Sequence, residues 1–321
     1  MPVGRFAPSP TGRLHLGNLR TAMVAWLAAR SDGSRFGLRF EDLDTASVRP
    51  EHYGGQATDL EAIGLDWDGP PIRQSDRLPS YRSALDRLVA DGAAYPCFCS
   101  RREIREAVQA PHGPRSGAGH GGHRYPGTCR DLSSAARAER ALTREPALRL
   151  RADGEVRVVD DLVAGPSRFE CDDFVIRRND GTPAYHLVVV VDDADAGVEL
   201  VVRADDLLES AARQIVVHER LGLTMPAYAH VPLVLGPDGD RLAKRHGAVD
   251  IDRRAAAGQT PAQVVGFLAS TLGLCSIDEA AAGVDPADLL ARFDLAALPR
   301  EPLVLPEPWL SGSVSSGAEP G

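Results

Sequence analysis

The sequence predicts an α/β protein built on a doubly wound parallel sheet. The first observation is a strand, helix and strand pattern over residues 3–40, which is typical of a βαβ unit. The second is that strand and helix patterns alternate again after residue 183. The third is size, because 321 residues with 43% hydrophobic content allow two or three compact units with substantial cores.

The first βαβ unit carries the clearest pattern. "PVGRFAPSP" predicts a short strand that ends in a proline-stiffened loop, since residues before proline favour extended backbone. "TGRLHLGNLRTAMVAWLAARS" predicts a helix with one apolar face, formed by Leu16, Leu19, Met23, Trp26 and Leu27. "RFGLRFEDLD" predicts the second strand, because apolar residues alternate with Gly37, Arg39 and Glu41.

The pattern changes twice along the rest of the chain. Residues 56–66 and 80–92 predict two more helices, and from "AYPCFCSRREI" to about residue 183 short strands such as "EVRVVDDLV" and "DFVIRR" predict an insertion. The sheet is expected to resume with the strands "AYHLVVVVDD" and "GVELVVRA", the helix "LLESAARQIVVHERLG" and the strand "AYAHVPLVL". Residues 260–297 predict alanine-rich helices.

These patterns divide the chain into five predicted parts. They are the first half of the sheet domain (1–94), the insertion (95–183), the second half of the sheet domain (184–240), a lysine-containing loop with a short helical region (241–310) and a disordered tail (311–321).

Charge and cysteine content exclude several classes of protein. The net charge of −9 argues against wholesale nonspecific binding to nucleic acid, although a local basic face is compatible with it. No apolar run approaches the ~20 residues of a membrane span, and the first residues do not resemble a targeting signal. Five cysteines, an odd number, predict a reducing cytoplasm with thiols available for metal. We expect a monomer without membrane contact.

The loop after the first strand is where parallel α/β folds bind phosphates, because backbone N–H groups and the helix dipole converge there. Gly12 and Gly17 have the spacing of a phosphate-binding loop, but Asn18 and Leu19 follow where that motif needs lysine and a hydroxyl residue. His15 and Asn18 therefore become candidate phosphate ligands. The alternative is that they only cap a helix.

A single lysine stands out in a chain that uses arginine for its other 35 basic residues. Lys244 follows the pattern of the last sheet strand, and such loops gather at the carboxyl edge of a doubly wound sheet, beside the first loop. A lysine is a compact point charge, whereas arginine is a planar fork. We therefore expect Lys244 to reach the phosphates of a nucleotide bound at His15, with codon bias as the alternative explanation.

Two segments resemble the signatures of class I aminoacyl-tRNA synthetases. "APSPTGRLHLGN" is similar to the first signature, with His15, Gly17 and Asn18 in it, and "RLAKR" is similar to the second. In the second signature Arg241 replaces a lysine and Ala243 replaces a serine, which removes a hydroxyl. The longer stretches "RFEDLD" and "AYHLVVVVDDADAGVELVVRADDLL" resemble glutamyl-tRNA synthetases, over roughly residues 3–250. The resemblance implies a Rossmann-like class I catalytic domain in which Lys244, His15, Gly17 and Asn18 bind ATP.

About seventy residues follow Lys244, which is short for the anticodon-binding region of that family. The chain therefore resembles its truncated branch, the glutamyl-queuosine tRNA(Asp) synthetases. This resemblance implies that L-glutamate is activated with ATP and Mg²⁺ without tRNA, and is then esterified to queuosine at the wobble position of tRNA(Asp). Two alternatives stay open: a truncated enzyme that charges a tRNA 3′ end, and an inactive zinc-containing paralogue that binds RNA or protein.

The amino-acid pocket follows from the charges of glutamate. Arg5 at the end of the first strand has the fork that binds a carboxylate bidentately, and Glu41 on the second strand has the charge to hold the ammonium. Arg203 sits at a later strand end, where ligands bind in such sheets. The resemblance also assigns Ala7, Ser9 and Tyr185 to glutamate.

A cysteine cluster is the last candidate site. Cys97-x-Cys99, followed by Tyr125-x-x-x-Cys129, resembles the structural zinc site of the family, where tyrosine can be the fourth ligand. From the residues alone, three histidines remain alternative fourth ligands. They are His112, His120 and His123, of which His123 is favoured. Three unligated thiols in a packed insertion are the remaining alternative.

Overall fold

The computed structural model of the protein describes residues 3–109, 124–242 and 250–305. The strands in these ranges are β1 (Val3–Phe6), β2 (Arg35–Phe40), β3 (Ile72–Arg73), β4 (Ala94–Cys97), β5 (Ala147–Leu150), β6 (Val156–Asp161), β7 (Gly165–Glu170), β8 (Phe174–Arg177), β9 (Leu200–Ala204), β10 (Ala227–Val231), β11 (Val234–Leu235) and β12 (Leu303–Val304). The helices in these ranges are α1 (Leu16–Ser31), α2 (Pro50–Ala62), α3 (Leu78–Ala90), α4 (Arg101–Gln109), α5 (Ser134–Ala141), α6 (Tyr185–Ala196), α7 (Leu208–Leu221), α8 (Ile251–Ala256), α9 (Pro261–Ser270) and α10 (Ile277–Ala282).

A parallel sheet forms the centre of the fold. β2 pairs in parallel with β1 and β3, and β10 pairs in parallel with β9. The two groups meet where β1 lies beside β9, because the Glu199 amide donates to the Val3 carbonyl at 3.3 Å and Val3 forms a parallel bridge with Val198. The order β3-β2-β1-β9-β10 changes direction at β1, as in doubly wound folds. The predicted α/β class with a parallel sheet is therefore confirmed.

The first βαβ unit matches its prediction closely. β1, α1 and β2 fall on the three predicted segments, and α1 is buried along most of its length. Burial on both faces explains one departure from the strand pattern. Arg39 stands on the face of β2 that alternation marks as polar, yet it is only 3% exposed. Parallel sheets are covered on both faces, so such a residue needs buried partners.

One predicted strand is wrong. "AYHLVVVVDD" forms the helix α6, whose residues from Leu187 to Asp193 are all buried. A helix that is buried on all sides reads as a continuous apolar run, which periodicity cannot distinguish from a central strand. Gly197, in the left-handed conformation at φ 68°, ends the helix, and β9 then begins at Leu200. Tyr185 consequently lies at the start of a helix rather than on a strand.

The predicted insertion contains two pieces of sheet. β4, β5 and β8 form an antiparallel sheet. β6 and β7 form an antiparallel hairpin, and β6 joins the main sheet by pairing with β10 at Tyr228 and Asp161. The hairpin therefore extends the main sheet although it falls inside the range 95–183. The predicted domain boundaries themselves stay predictions.

The C-terminal part packs short helices against the sheet domain. α9 and α10 fall in the predicted helical range of 260–297, and 3₁₀ turns follow at Pro286–Arg292 and Leu295–Ala297. Gly266 on α9 permits the close approach of α10, because a Cβ there would lie 2.6 Å from the Ala280 carbonyl oxygen. The predicted tail, 311–321, lies outside the described residues.

The helices of the described ranges are also informative about membranes. None of them combines the length and the hydropathy that a membrane-spanning helix needs. The cytoplasmic location and the monomeric state stay predictions.

Candidate active site

A cleft opens at the carboxyl edge of the parallel sheet, where the strand order changes direction. It encloses a cavity of about 680 Å³, a volume in the range of small-molecule sites, ~300–1,000 Å³. Among the residues that line it are nine of the ten predicted to bind ATP or glutamate: Arg5, Ala7, Ser9, His15, Gly17, Asn18, Glu41, Tyr185 and Arg203. The tenth, Lys244, lies outside the described residues.

The loop between β1 and α1 forms one wall of the cleft, and α2 holds it in place. The Gln56 side-chain amide donates to the Ser9 carbonyl at 2.9 Å and to the Gly12 carbonyl at 2.7 Å. Asp59, which is fully buried, accepts from the Leu14 amide at 3.0 Å and forms an ion pair with Arg13. Sequence reasoning missed both α2 residues, because polar side chains on a helix ordinarily indicate a solvent-facing surface.

His15 and Asn18 do cap α1. The His15 ring Nδ1 accepts from the Asn18 amide at 3.2 Å, and the Asn18 side-chain oxygen accepts from the His15 amide at 3.2 Å. Burial lowers the pKa of His15 to about 4, so the ring is neutral at physiological pH. Since Nδ1 is an acceptor, the ring proton resides on Nε2. Capping therefore leaves an N–H donor on a residue that lines the cleft.

Arg5 and Glu41 meet in a buried charge network. The Arg5 guanidinium donates to both oxygens of Asp193, at 3.0 and 3.2 Å, and Arg39 donates to the same carboxylate at 2.5 Å. Glu41 accepts from Arg39 at 3.4 Å. Burial raises the pKa of Glu41, and the charges of Arg39 and Arg5 oppose that rise. Asp193, on the helix α6 that was predicted as a strand, is the partner that sequence reasoning missed.

Arg203 also lines the cleft, and its partners are neutral. Its Nε donates to the His230 ring at 2.9 Å, Nη1 lies 3.4 Å from the Tyr185 hydroxyl, and Nη2 donates to the Leu207 carbonyl at 3.2 Å. It is 7% exposed, and in the described ranges no carboxylate oxygen lies within 4.0 Å of it. A buried cation of this kind suits an anionic ligand.

The lysine-containing segment is flanked by residues at the cleft. Arg241 and Leu242 line the cavity, and Arg241 forms an ion pair with Asp206. At its other end, Asp250 forms an antiparallel bridge with His15. Residues 243–249, with Lys244 among them, are outside the described ranges. One flank of the lysine segment thus lines the same cavity as the first loop, and the other contacts His15 in that loop.

The predicted metal ligands form a compact cluster beside β4. The Sγ atoms of Cys97, Cys99 and Cys129 lie within 4.8 Å of one another, and none of these cysteines is in a disulfide. The Tyr125 hydroxyl lies 3.3 Å from the Cys97 Sγ and 3.8 Å from the Cys99 Sγ. Tetrahedral ligation at about 2.3 Å needs sulfur atoms roughly 3.8 Å apart, so this donor set fits a zinc ion. His112, His120 and His123 lie outside the described residues.

Two arginines contact the cysteine cluster. Arg149 donates to the Cys97 Sγ at 3.3 Å, and its guanidinium carbon lies 3.7 Å from the centre of the Tyr125 ring. Arg140 approaches the Cys129 Sγ at 3.6 Å. Three thiolates carry more negative charge than one divalent cation neutralises, so cationic neighbours stabilise such a site. No sequence pattern distinguishes these two residues from the other arginines of the chain.

Comparison with known proteins gives consistent results. Residues 3–279 match the family model for the catalytic domain of class I tRNA synthetases (E and Q). The chain is 54% identical over 304 residues to a glutamyl-Q tRNA(Asp) synthetase of Nocardia farcinica, covering 94% of this chain and 93% of that protein. It is 50% identical over 319 residues to the protein of the same name from Symbiobacterium thermophilum, covering 95% and 96%.

A solved structure shares the fold. The glutamate-tRNA synthetase from Elizabethkingia anophelis superposes with a TM-score of 0.78 at 27% identity. The superposition covers 96% of this chain and 69% of that one.

Proposed function

Since this chain belongs to the family of class I tRNA synthetase catalytic domains for glutamate and glutamine, we propose that it activates L-glutamate with ATP and transfers it to queuosine in tRNA(Asp). The observation that carries the proposal is that nine predicted ligands of two substrates line one cavity at the switch point of the sheet. The two relatives named glutamyl-Q tRNA(Asp) synthetase support this acceptor, because they match almost from end to end.

Activation needs positioning and charge stabilisation rather than acid–base chemistry. The glutamate α-carboxylate attacks the α-phosphorus of ATP, an O–P bond forms, and pyrophosphate leaves. The Nε2–H of His15, the Asn18 side chain and Lys244 are proposed to stabilise the phosphate charge. Mg²⁺ bound with ATP would neutralise part of the same charge.

Glutamate recognition is proposed to use other residues that line the same cleft. Arg203 is proposed to bind a substrate carboxylate through its terminal N–H groups, next to the Tyr185 hydroxyl. Glu41 is proposed to hold the ammonium group. Arg5 already directs Nε and Nη2 to Asp193, so it is proposed to supply positive charge near the substrate carboxylate rather than a bidentate contact. Ala7 and Ser9 lie on the same loop as His15 and line the pocket floor in this proposal.

The second step is proposed to be ester formation. A hydroxyl of the queuosine cyclopentenediol attacks the carbonyl carbon of the glutamyl-adenylate, the new ester bond forms, and AMP leaves. The acceptor proton passes to solvent or to the departing phosphate.

Activation is tested by glutamate-dependent exchange of pyrophosphate into ATP. We expect exchange without any tRNA. Exchange that appears only after tRNA is added would contradict tRNA-independent activation, and no exchange under either condition would favour an inactive paralogue.

The acceptor is tested by acylating tRNA(Asp) with and without queuosine and mapping the labelled nucleotide. We expect label only on queuosine at the wobble position. Label on the 3′ end would instead identify a truncated glutamyl-tRNA synthetase.

We further propose that the cysteine cluster holds one structural Zn²⁺ through Cys97, Cys99, Cys129 and Tyr125. The spacing of the four donors supports it. Elemental analysis should find one zinc per chain in the wild type and less than one in Cys99→Ser. A metal-free, fully active wild type would contradict the proposal. If Tyr125→Phe retains the metal and His123→Ala does not, histidine is the fourth ligand.

A further inference from the structure

Three buried side chains form a line across three neighbouring strands and end at the cleft. Asp161 closes β6, His230 lies on β10, and Arg203 lies on β9 as the register partner of His230. The His230 Nδ1 lies 2.6 Å from the Asp161 Oδ2, and the His230 Nε2 lies 2.9 Å from the Arg203 Nε. His230 has no exposed surface at all. No contact along this line, among the described residues, involves the first loop or the cysteine cluster.

The donors around Asp161 fix the tautomer of His230. Asp161 accepts from the backbone amides of His230 at 3.1 Å, Val163 at 3.0 Å and Ala164 at 2.8 Å. Although burial opposes ionisation, the His230 ring and the backbone amides of Ala164 and His230 hold the pKa of Asp161 below its usual range. An ionised carboxylate only accepts, so the His230 Nδ1 carries the ring proton. The Nε2 lone pair then faces the Arg203 Nε–H.

The tautomer determines where Arg203 directs its remaining donors. A guanidinium has five N–H groups. The His230 ring accepts the Nε–H. The Tyr185 hydroxyl is the partner of one Nη1–H, and the Leu207 carbonyl accepts one Nη2–H. One N–H on each terminal nitrogen is then left over among the contacts of the described residues, and Arg203 lines the cavity.

We propose that Asp161 and His230 are positioning residues that orient Arg203 for a carboxylate of the substrate. This inference rests on the proposed function, because it assumes that glutamate occupies the cleft. It assigns a role in substrate binding to the β6–β7 hairpin, which the sequence places in the insertion.

Asp161→Asn separates this role from a purely structural one. The asparagine oxygen keeps an acceptor for the turn amides of Val163 and Ala164. Its NH₂ group then faces the His230 Nδ1, which forces the ring proton onto Nε2, against the Arg203 Nε–H. Two donors in contact repel, so Arg203 is expected to leave its position. A comparable loss of the correct tautomer in a hydrolase is strongly damaging. The matched control is Asp160→Asn, at the exposed neighbouring position.

The test compares Michaelis constants for glutamate and ATP in the exchange assay. For Asp161→Asn we expect the glutamate KM to rise at least about tenfold, the typical effect of an unpaired buried donor, with the ATP KM nearly unchanged. Nitrogen-15 NMR of the ring should show protonation at Nδ1 in the wild type and at Nε2 in the variant. Equal increases in both KM values, or a switched tautomer with an unchanged glutamate KM, would overturn the proposal.

A second pair of variants tests the same positioning role if Asp161→Asn does not fold. His230→Gln keeps one acceptor and one donor, so it should bind glutamate nearly as well as the wild type. His230→Leu offers no acceptor to Arg203 and should raise the glutamate KM alone. Equal glutamate KM values for these two variants would overturn the proposal. A wild type without exchange would instead contradict the proposed function itself.

Discussion

Two buried arginines in the cleft differ in how their charge is compensated. Arg5 donates to both oxygens of Asp193, which it shares with Arg39. Arg203 has a neutral imidazole, a hydroxyl and a carbonyl as partners. Removal of Arg5 would leave a buried carboxylate short of one cation, whereas removal of Arg203 would leave neutral groups. Loss of Arg5 is therefore expected to reduce folding stability more than loss of Arg203.

Arg203→Ala is expected to weaken glutamate binding far more than ATP binding. Loss of a charged hydrogen-bond partner for a carboxylate costs on the order of 1–3 kcal/mol. Arg5→Ala is the comparison variant, because it should also lower the melting temperature. Calorimetric titration with each substrate, alongside thermal unfolding, measures these effects. An equal loss of both affinities in Arg203→Ala would mean that Arg203 only supports the fold.

Lys244→Arg is expected to slow adenylate formation by at least roughly tenfold, and Lys244→Ala by more, since loss of one donor aimed at transition-state charge costs about 10²–10³ in rate. The planar guanidinium places its charge differently from an ammonium. Rapid-quench measurement of glutamyl-adenylate gives the rate directly. Arg241→Lys, a reverse exchange in the same segment, should stay close to wild type. Normal kinetics in Lys244→Arg would leave codon bias as the explanation of the single lysine.

Arg149→Gln is expected to weaken binding of the proposed zinc ion without removing a ligand, because it deletes the cation that donates to the Cys97 sulfur. Changes of this kind typically cost about 10–100-fold in metal affinity. Arg151→Gln is the matched control, since Arg151 covers the Tyr95 ring at 4.8 Å and its described contacts include no cluster sulfur. Competition with a chromogenic chelator measures the affinity. Equal metal affinity in the two variants would contradict a role for Arg149.

At the scale of elements, helix α2 supports the loop between β1 and α1. Gln56 and Asp59 lie on one helical face and bind backbone groups of the loop between β1 and α1. Burial of these two side chains is stable because their partners are N–H and C=O groups that the loop itself cannot pair. The loop therefore keeps its shape before any ligand binds, which reduces the ordering cost of binding.

A pair of glycine substitutions tests packing between elements. Gly54 lies within α2, where an added methyl group would meet no described atom within 4 Å, so Gly54→Ala should stabilise the protein by roughly 0.5–1 kcal/mol through helix propensity. Gly266→Ala should destabilise it, because the new methyl group would overlap the Ala280 backbone on α10. Urea unfolding of both variants gives the two signs. Stabilisation by Gly266→Ala would show that α9 and α10 are free to separate.

At the scale of the whole molecule, buried and half-buried histidines link stability to pH. Burial is the main cause that lowers the pKa of four of them, to about 4 for His15, to about 3 for His186, and in direction for His218 and His230. The unfolded chain takes up these protons near pH 6.5, whereas the folded protein resists them to lower pH. The unfolded state therefore binds more protons as the pH falls from about 6.5 towards 4, and stability decreases over that window.

The free energy of unfolding should fall by up to about 1.4 kcal/mol per pH unit for each of these histidines. Urea unfolding at several pH values between 7 and 5 measures the slope. His186→Phe keeps an aromatic ring for the edge contact with Phe174 and removes one titrating group, so its slope should be shallower. Equal slopes in this variant and the wild type would contradict a lowered pKa for His186.

The sequence by itself determined the features that depend on neighbouring residues. The spacing of apolar residues defined β1, α1 and β2, and the motif around His15 and Asn18 identified the loop that lines the cleft. The short spacings within Cys97-x-Cys99 and within Tyr125-x-x-x-Cys129 keep each pair of side chains close together, whereas the union of the two pairs in one cluster was predicted from the family resemblance. Local patterns can be recognised in a sequence because they are set by backbone geometry over a few residues.

The tertiary structure alone decided which charges are paired and which apolar run is a helix. Asp193 follows Arg5 by 188 residues, and His230 follows Asp161 by 69, so no local pattern links them. The apolar run of α6 predicts a strand from sequence alone, because a helix that is buried on every side has no polar face to show its helical period. Charge pairing depends on desolvation and on distances of a few ångströms. Those quantities exist only once the chain has brought distant residues together, which is why the orientation of Arg203 was visible only in the fold.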